Sequence, residues 1–255
     1  MKILKLVFSL FLFCAFCSTA KAETKTIHVN VALCDNIHQG IYPVPTKLGN
    51  GDDPHNNLYW GAMYGIKTYF KNSKDWTFIR EEKDVSSSIL RRAIFKHKNS
   101  DTWMIADAYQ GKRIKESIQT FLEYSAGQKP MEISVDEKTI SIGGNADILA
   151  FVGHNGLMDF SITQIPQSKI DKKRETIILA CYSKSYFHNI IPQTGATPLI
   201  WTNGKMAPEG YVLKAALNSW IEGKSTQEIK TQTGLAYAKY QKISQKAGIS
   251  LFKNE

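Results

Sequence analysis

The chain has little of what would anchor it in a membrane, stack it into repeats or clamp it to nucleic acid. Beyond residues 6–17, about a dozen residues, no apolar stretch nears the roughly 20 that cross a bilayer, so no stable membrane insertion is expected. No internal repeat, linker or low-complexity tract is present. Arginines do not gather into a stripe and aromatics do not interleave with basic residues. The lysine excess therefore reads as a solvated surface, and no nucleic-acid partner is expected. A serine nucleophile elbow, a phosphate-cradling glycine loop and a dinucleotide fingerprint are missing. Asp52, Asp53 and His55 lie close together, yet they lack the spacing of a zinc site or a calcium loop, so neither a metal nor a cofactor is expected.

What is present begins with a leader pattern. Lys2 and Lys5 precede the apolar run, and Ser18-Thr19-Ala20-Lys21-Ala22 follows it, with Ala20-x-Ala22 suited to cleavage. Residues 1–22 read as a secretory signal peptide, and the mature protein, from Glu23, is expected in the periplasm or outside the cell. Phe13 and Phe16 are bulky where a lipoprotein signal places a small residue before its cysteine, which disfavours lipidation at Cys14 or Cys17. The leader carries Lys2, Lys5 and Lys21 and no acid, so its loss lowers the net charge from +9 to +6. Residues 23–255 suit one α/β domain.

Residues 27–33 form a β-rich apolar run, followed by a long loop rich in Gly, Pro, Asn and Asp. Residues 57–72 place Leu58, Ala62, Gly65 and Tyr69 on one face and predict a helix. Strands are expected at 76–80, 102–109, 147–153, 176–180 and 198–201, a hairpin or edge strand at 132–142, and a short helix at 87–96. Ile114, Ile118, Phe121 and Leu122 mark an amphipathic helix, and further helices are expected at 210–222 and 226–246. Strands alternating with helices, several apolar on both faces, predict a three-layer sandwich with a mostly parallel central sheet flanked by helices. In such sheets active sites gather at the carboxyl ends of the strands.

Two buried strands end in reactive residues. One runs into Gly153-His154-Asn155-Gly156, the other into Ala180-Cys181-Tyr182-Ser183. If they are parallel neighbours, the imidazole and the thiol emerge at one edge. A cysteine needs a partner to act as a thiolate near neutral pH, and a histidine supplies one. Cys181 would then attack an acyl carbon. His154 would protonate the leaving amine and afterwards activate water. Backbone N–H groups near Asn155, Gly156 and Cys181 are the candidates for an oxyanion hole.

An apolar strand ending in a histidine-glycine turn, then one ending in Ala-Cys, resembles the caspase-like cysteine peptidases, most closely gingipain and CHAT-type domains. The order of the strand at 197–201, the helix through Ala215 to Trp220 and the helix opened by Glu222-Gly-Lys-Ser-Thr226 is similar too. The resemblance implies a caspase-like fold, a peptide or protein substrate, Cys181 as nucleophile and His154 as its partner. The chain departs from the family pattern in having His-Asn-Gly for His-Gly and Tyr-Ser-Lys after the cysteine. A catalytically inactive relative with a binding or envelope role is the alternative.

The loop after the first strand can overhang the same edge, with Asp35, His38 and Gln39 lining a substrate pocket or Asp35 orienting His154. The plain alternative is a turn-rich surface loop. Asp107, Tyr109 and Gln110 end another strand and are further candidates for the site edge. Cys34 and Cys181, the two cysteines beyond the leader, invite a disulfide in an oxidising compartment, which rivals the nucleophile assignment. Tyr59, Trp60, Tyr64, Tyr69 and Phe70 read first as core and helix-packing residues, and second as a stacking surface for a sugar or peptide.

Overall fold

The computed structural model describes residues 24–168 and 171–254; the leader, with Cys14 and Cys17, lies outside them. The chain runs β1 (Lys25–Ala32), α1 (Ile66–Lys71), β2 (Trp76–Lys83), β3 (Ile89–His97), β4 (Thr102–Tyr109), α2 (Ile114–Ser125), β5 (Pro130–Val135) and β6 (Lys138–Gly143). It continues through β7 (Ile148–Val152), β8 (Glu175–Leu179), α3 (Ser183–Phe187), β9 (Thr197–Thr202), α4 (Gly210–Ile221), α5 (Thr226–Gln241), α6 (Gln245–Leu251) and β10 (Phe252–Lys253).

One eight-stranded sheet, in the order β10-β9-β8-β7-β1-β4-β3-β2, joins these elements. The five strands from β9 to β4 are mutually parallel, while β10, β3 and β2 pair antiparallel at the edges. The period-2 alternation of strand side chains sorts the core into two layers. Ile27, Val29, Val31, Ala150, Val152 and Leu179 pack on one face with Ile66, Phe70, Leu213 and Ile229 from α1, α4 and α5. Ala32, Leu149, Phe151, Ile178 and Ala180 pack on the other with Ile118, Phe121 and Phe187 from α2 and α3. Helices therefore cover both faces. β7 is apolar throughout because neither side meets water, while the buried His28, Asn30 and Asp107 of β1 and β4 are hydrogen-bonded. The β5–β6 hairpin covers the remainder of the second face through Val135, Ile140 and Ile142, which meet Ile94, Trp103 and Ile105.

Three expectations change. Residues 87–96 form no helix; they make up most of β3, whose Arg92 is buried and bonded to Asp107 at 2.7 Å from both Nε and Nη2. The helix expected over 57–72 is confined to α1. Asn57 holds the earlier residues in turns: its Oδ1 accepts the N–H groups of Cys34 and Tyr59, and its Nδ2 donates to the carbonyls of Cys34 and Asn50. The helix expected over 226–246 stops at Gln241, where Lys242 turns into the left-handed region at φ 54°, and α6 and β10 follow. The start of α5 follows the capping logic of its sequence: Ser225 accepts the Glu228 N–H, and the Glu228 carboxylate returns the bond to the Ser225 N–H.

Buried beneath the β5–β6 hairpin lies a closed polar network. Asp107 accepts from Arg92 and, at 3.0 Å, from His28 Nε2, while His28 Nδ1 accepts the Gly143 N–H at 3.1 Å. Burial alone would raise the Asp107 pKa, but the hydrogen bonds and charge of Arg92 and His28 hold it below its ordinary value.

Candidate active site

The strands β7 and β8 are parallel neighbours in register, Val152 opposite Leu179, so both leave the sheet at the same edge. Gly153 follows β7 with φ 152°, and a Cβ there would sit 2.9 Å from the Ala32 carbonyl oxygen; only glycine fits this exit. It turns the chain so that His154 lines a cleft of about 340 Å³, and Cys181, one residue past Ala180, lines the same cleft. Tyr182 then takes the left-handed conformation at φ 51°, a conformation that costs a non-glycine residue free energy and requires support from around it. That support comes from the Tyr182 N–H, which donates to Gly204 O at 2.8 Å, and from Ser183 Oγ, which accepts the Thr202 N–H and donates to Ile178 O.

His154 is nearly buried, and its Nε2 donates to Asp159 Oδ2 at 2.7 Å. The same oxygen accepts the Gly40 N–H at 3.0 Å, and a Cβ on Gly40 would fall 2.3 Å from Asp159 Oδ1. With the Nε2 proton held by the carboxylate, the lone pair of the neutral ring sits on Nδ1, which has no partner among the described residues. Cys181 Sγ donates to Met206 O at 3.6 Å and accepts the Met206 N–H at 3.4 Å. No hydrogen bond joins His154 to Cys181 among the described residues; the two meet through the cleft and not directly.

Asn155 and Gly156 serve differently. The Asn155 side chain is buried, donates to the Cys181 carbonyl at 2.8 Å and accepts the Leu157 N–H, so it braces the ends of β7 and β8 against each other. The Gly156 N–H is taken by His154 O at 3.0 Å and is not available as an oxyanion donor. The backbone N–H groups of Asn155 and Cys181 have no acceptor among the described residues, but Asn155 is buried outside the cleft lining, which leaves the Cys181 N–H as the donor candidate at the thiol.

The loop after β1 does reach the cleft, but through Gly40, Ile41 and Tyr42. Asp35, His38 and Gln39 do not form its wall. Asp35 accepts the N–H groups of Ile37 and His38 and bonds His38 Nδ1 at 2.9 Å, so it shapes its own turn, while Asp159 is the carboxylate that meets His154. Gln39 is buried and donates to the carbonyls of Leu33 and Gly111. Asp107 and Tyr109 are buried away from the cleft, and Gln110 donates to Asp52 at 2.5 Å.

Cys34 and Cys181 are free thiols, and no disulfide joins them. They differ in chemistry. Cys34 is buried, and burial pushes its pKa up to about 11 against a hydrogen bond from Tyr59, so it stays protonated and inert near neutral pH. Cys181 is partly exposed. Tyr59, a wall residue of the cleft, is held neutral by burial. Tyr59, Trp60 and Phe70 are core residues, whereas Tyr64 is partly exposed against Tyr69, Tyr211 and Tyr240. Asp159 was not among the residues expected from the sequence. It stands five positions after His154 in an irregular segment, where neither periodicity nor spacing singles out a carboxylate.

Compared with protein-family models, with curated proteins and with solved structures, the chain has no match in any of the three.

Proposed function

We propose that this chain is an exported cysteine peptidase or related amide hydrolase of caspase-like fold, with Cys181 as nucleophile, His154 as general acid and base, and Asp159 as the residue that positions His154. One observation carries the reading: the partly exposed cysteine and a histidine backed by a carboxylate leave adjacent parallel strands and line one cleft. Export rests on the leader pattern of residues 1–22.

In the first step the Cys181 thiol gives its proton across the cleft to Nδ1 of His154 as the sulfur adds to the amide carbonyl carbon, and the developing oxyanion lies against the Cys181 N–H. The C–N bond breaks as His154 delivers a proton to the departing amine, leaving a thioester on Cys181. Water then attacks the thioester carbon. His154 takes the water proton and returns it to the sulfur as the carboxylic acid is released. The Asp159 carboxylate stabilises the protonated ring and fixes which nitrogen works.

Cys181→Ala and His154→Ala are expected to abolish hydrolysis of a mixed peptide substrate, and iodoacetamide modification of Cys181 is expected to do the same to the native protein. Hydrolysis unchanged by all three overturns the assignment.

A second reading draws on the Met206 contacts. A thiol that donates to a backbone carbonyl is held as a thiol, as suits a peptide-binding relative that has lost the chemistry. Peptide binding that survives loss of both cysteines, with no hydrolysis by the unaltered chain, favours it.

A further inference from the structure

The walls beside Cys181 say what the cleft can hold. Ile41, Tyr42, Tyr59, Met158, Met206 and Pro208 supply half of its lining, and among the described residues its basic members are Lys205 and His154. Two of the apolar side chains stand open to solvent at the rim, Tyr42 at 93% exposure and Met158 at 45%. Large side chains left that exposed beside a reactive thiol present apolar surface to whatever enters.

Among the described residues no carboxylate lines the cleft. Of two close by, Asp159 is committed through Oδ2 to His154 and to the Gly40 N–H, and Glu209, next to Pro208 in the chain, accepts from Gln241 Nε2 at 3.4 Å. Lys205 is exposed and has no partner among the described residues. A basic side chain entering the cleft would meet this like charge, and no carboxylate in the lining to offset it. An acidic one would meet a single flexible lysine in water, whose attraction is weak and screened. A volume of about 340 Å³ lies at the small end of ligand sites, room for one large side chain and a short length of backbone.

Building on the peptidase reading above, we propose that the cleft selects a bulky apolar side chain, aromatic or large aliphatic, on the acyl side of the scissile amide. The ring or branched chain lies against Tyr42, Met158 and Met206 and loses its water, while the carbonyl carbon faces Cys181.

Peptidyl chloromethyl ketones test this, because Cys181 Sγ displaces chloride and forms a carbon–sulfur bond whose rate reports how the neighbouring side chain fits. Three ketones carrying Phe, Asp or Lys next to the reactive group are reacted with the full mature chain. Modification of Cys181 is followed by mass, and each rate is divided by that for the urea-unfolded chain. The Phe ketone is expected to react about tenfold or more faster than the other two, the discrimination a hydrophobic pocket commonly provides. A Lys or Asp ketone that matches or exceeds it overturns the apolar assignment and leaves the peptidase reading standing. If no ketone reacts faster with the folded than with the unfolded chain, both fail. Met158→Asp, at a position 45% exposed, is expected to raise the Lys rate relative to Phe by about tenfold. An unchanged ratio in that variant also overturns the assignment.

Discussion

Two of the molecule's histidine–aspartate pairs, His28–Asp107 and His154–Asp159, differ in what is left over once each is formed. His28 and Asp107 sit fully buried beneath the β5–β6 hairpin, and both ring nitrogens of His28 are engaged, one by Asp107 and one by the Gly143 N–H. Arg92 closes the remaining side of the carboxylate. Nothing in that network is free to exchange a proton with a ligand. His154 and Asp159 form a shorter contact, 2.7 Å against 3.0 Å, at the mouth of a cleft, with one ring nitrogen unengaged. The same two side chains make a structural tie in one place and a candidate proton relay in the other. The difference lies in the third partner.

Substitution separates the two pairs most sharply through stability. Asp107→Ala strands the Arg92 guanidinium without its counterion in a buried site and is expected to cost about 3–5 kcal/mol in urea unfolding. Asp159→Ala, at the partly exposed cleft mouth, is expected to cost less than about 1 kcal/mol. Equal losses break the distinction.

Activity is expected to reverse the order. Asp159→Asn should lower hydrolysis by about a hundredfold and change its pH profile, while the urea midpoint stays within error. A residue that only props the loop would move the midpoint and leave the profile alone.

Acid should weaken the buried pair. The Asp107 pKa is lowered in the folded chain, so its stabilising contribution is present above the ordinary value of 3.8 and is lost as pH falls below it. Denaturant midpoints measured down through that range should drop, and the drop should be smaller in Asp107→Asn. The smallest effect concerns the cysteines. At pH 8 iodoacetamide should modify Cys181 and spare Cys34 until the chain is unfolded, and Cys34→Ala should alter the Cys181 rate by no more than about twofold.

These contrasts also mark what the sequence reveals. β7 and β8 are legible because burial on both faces leaves nearly all apolar residues, as in 148–152 and 177–179. His154 and Cys181 are legible because each follows such a strand directly. β3 is not, since Arg91 and Arg92 break its alternation, and Arg92 looks like a surface residue until Asp107, fifteen positions on, is placed opposite it. Tertiary pairing overrides the local pattern there. The residues between 57 and 65 have helical spacing, yet the contacts of Asn57 with Asn50 and Cys34 decide their conformation, and Cys34 lies 23 positions away. Asp159 is hidden for the same reason: its partners are His154 and a backbone N–H from a loop 119 positions away.

That shared carboxylate oxygen has a consequence for how the site can change. The Gly40 N–H belongs to the wall that presents Ile41 and Tyr42, and the oxygen it donates to is the one that holds the His154 ring. Wall and imidazole are therefore geared to one another. A substitution or insertion that reshapes the loop to admit a different side chain also swings the ring, so selectivity and turnover would drift together across descendants of this sequence.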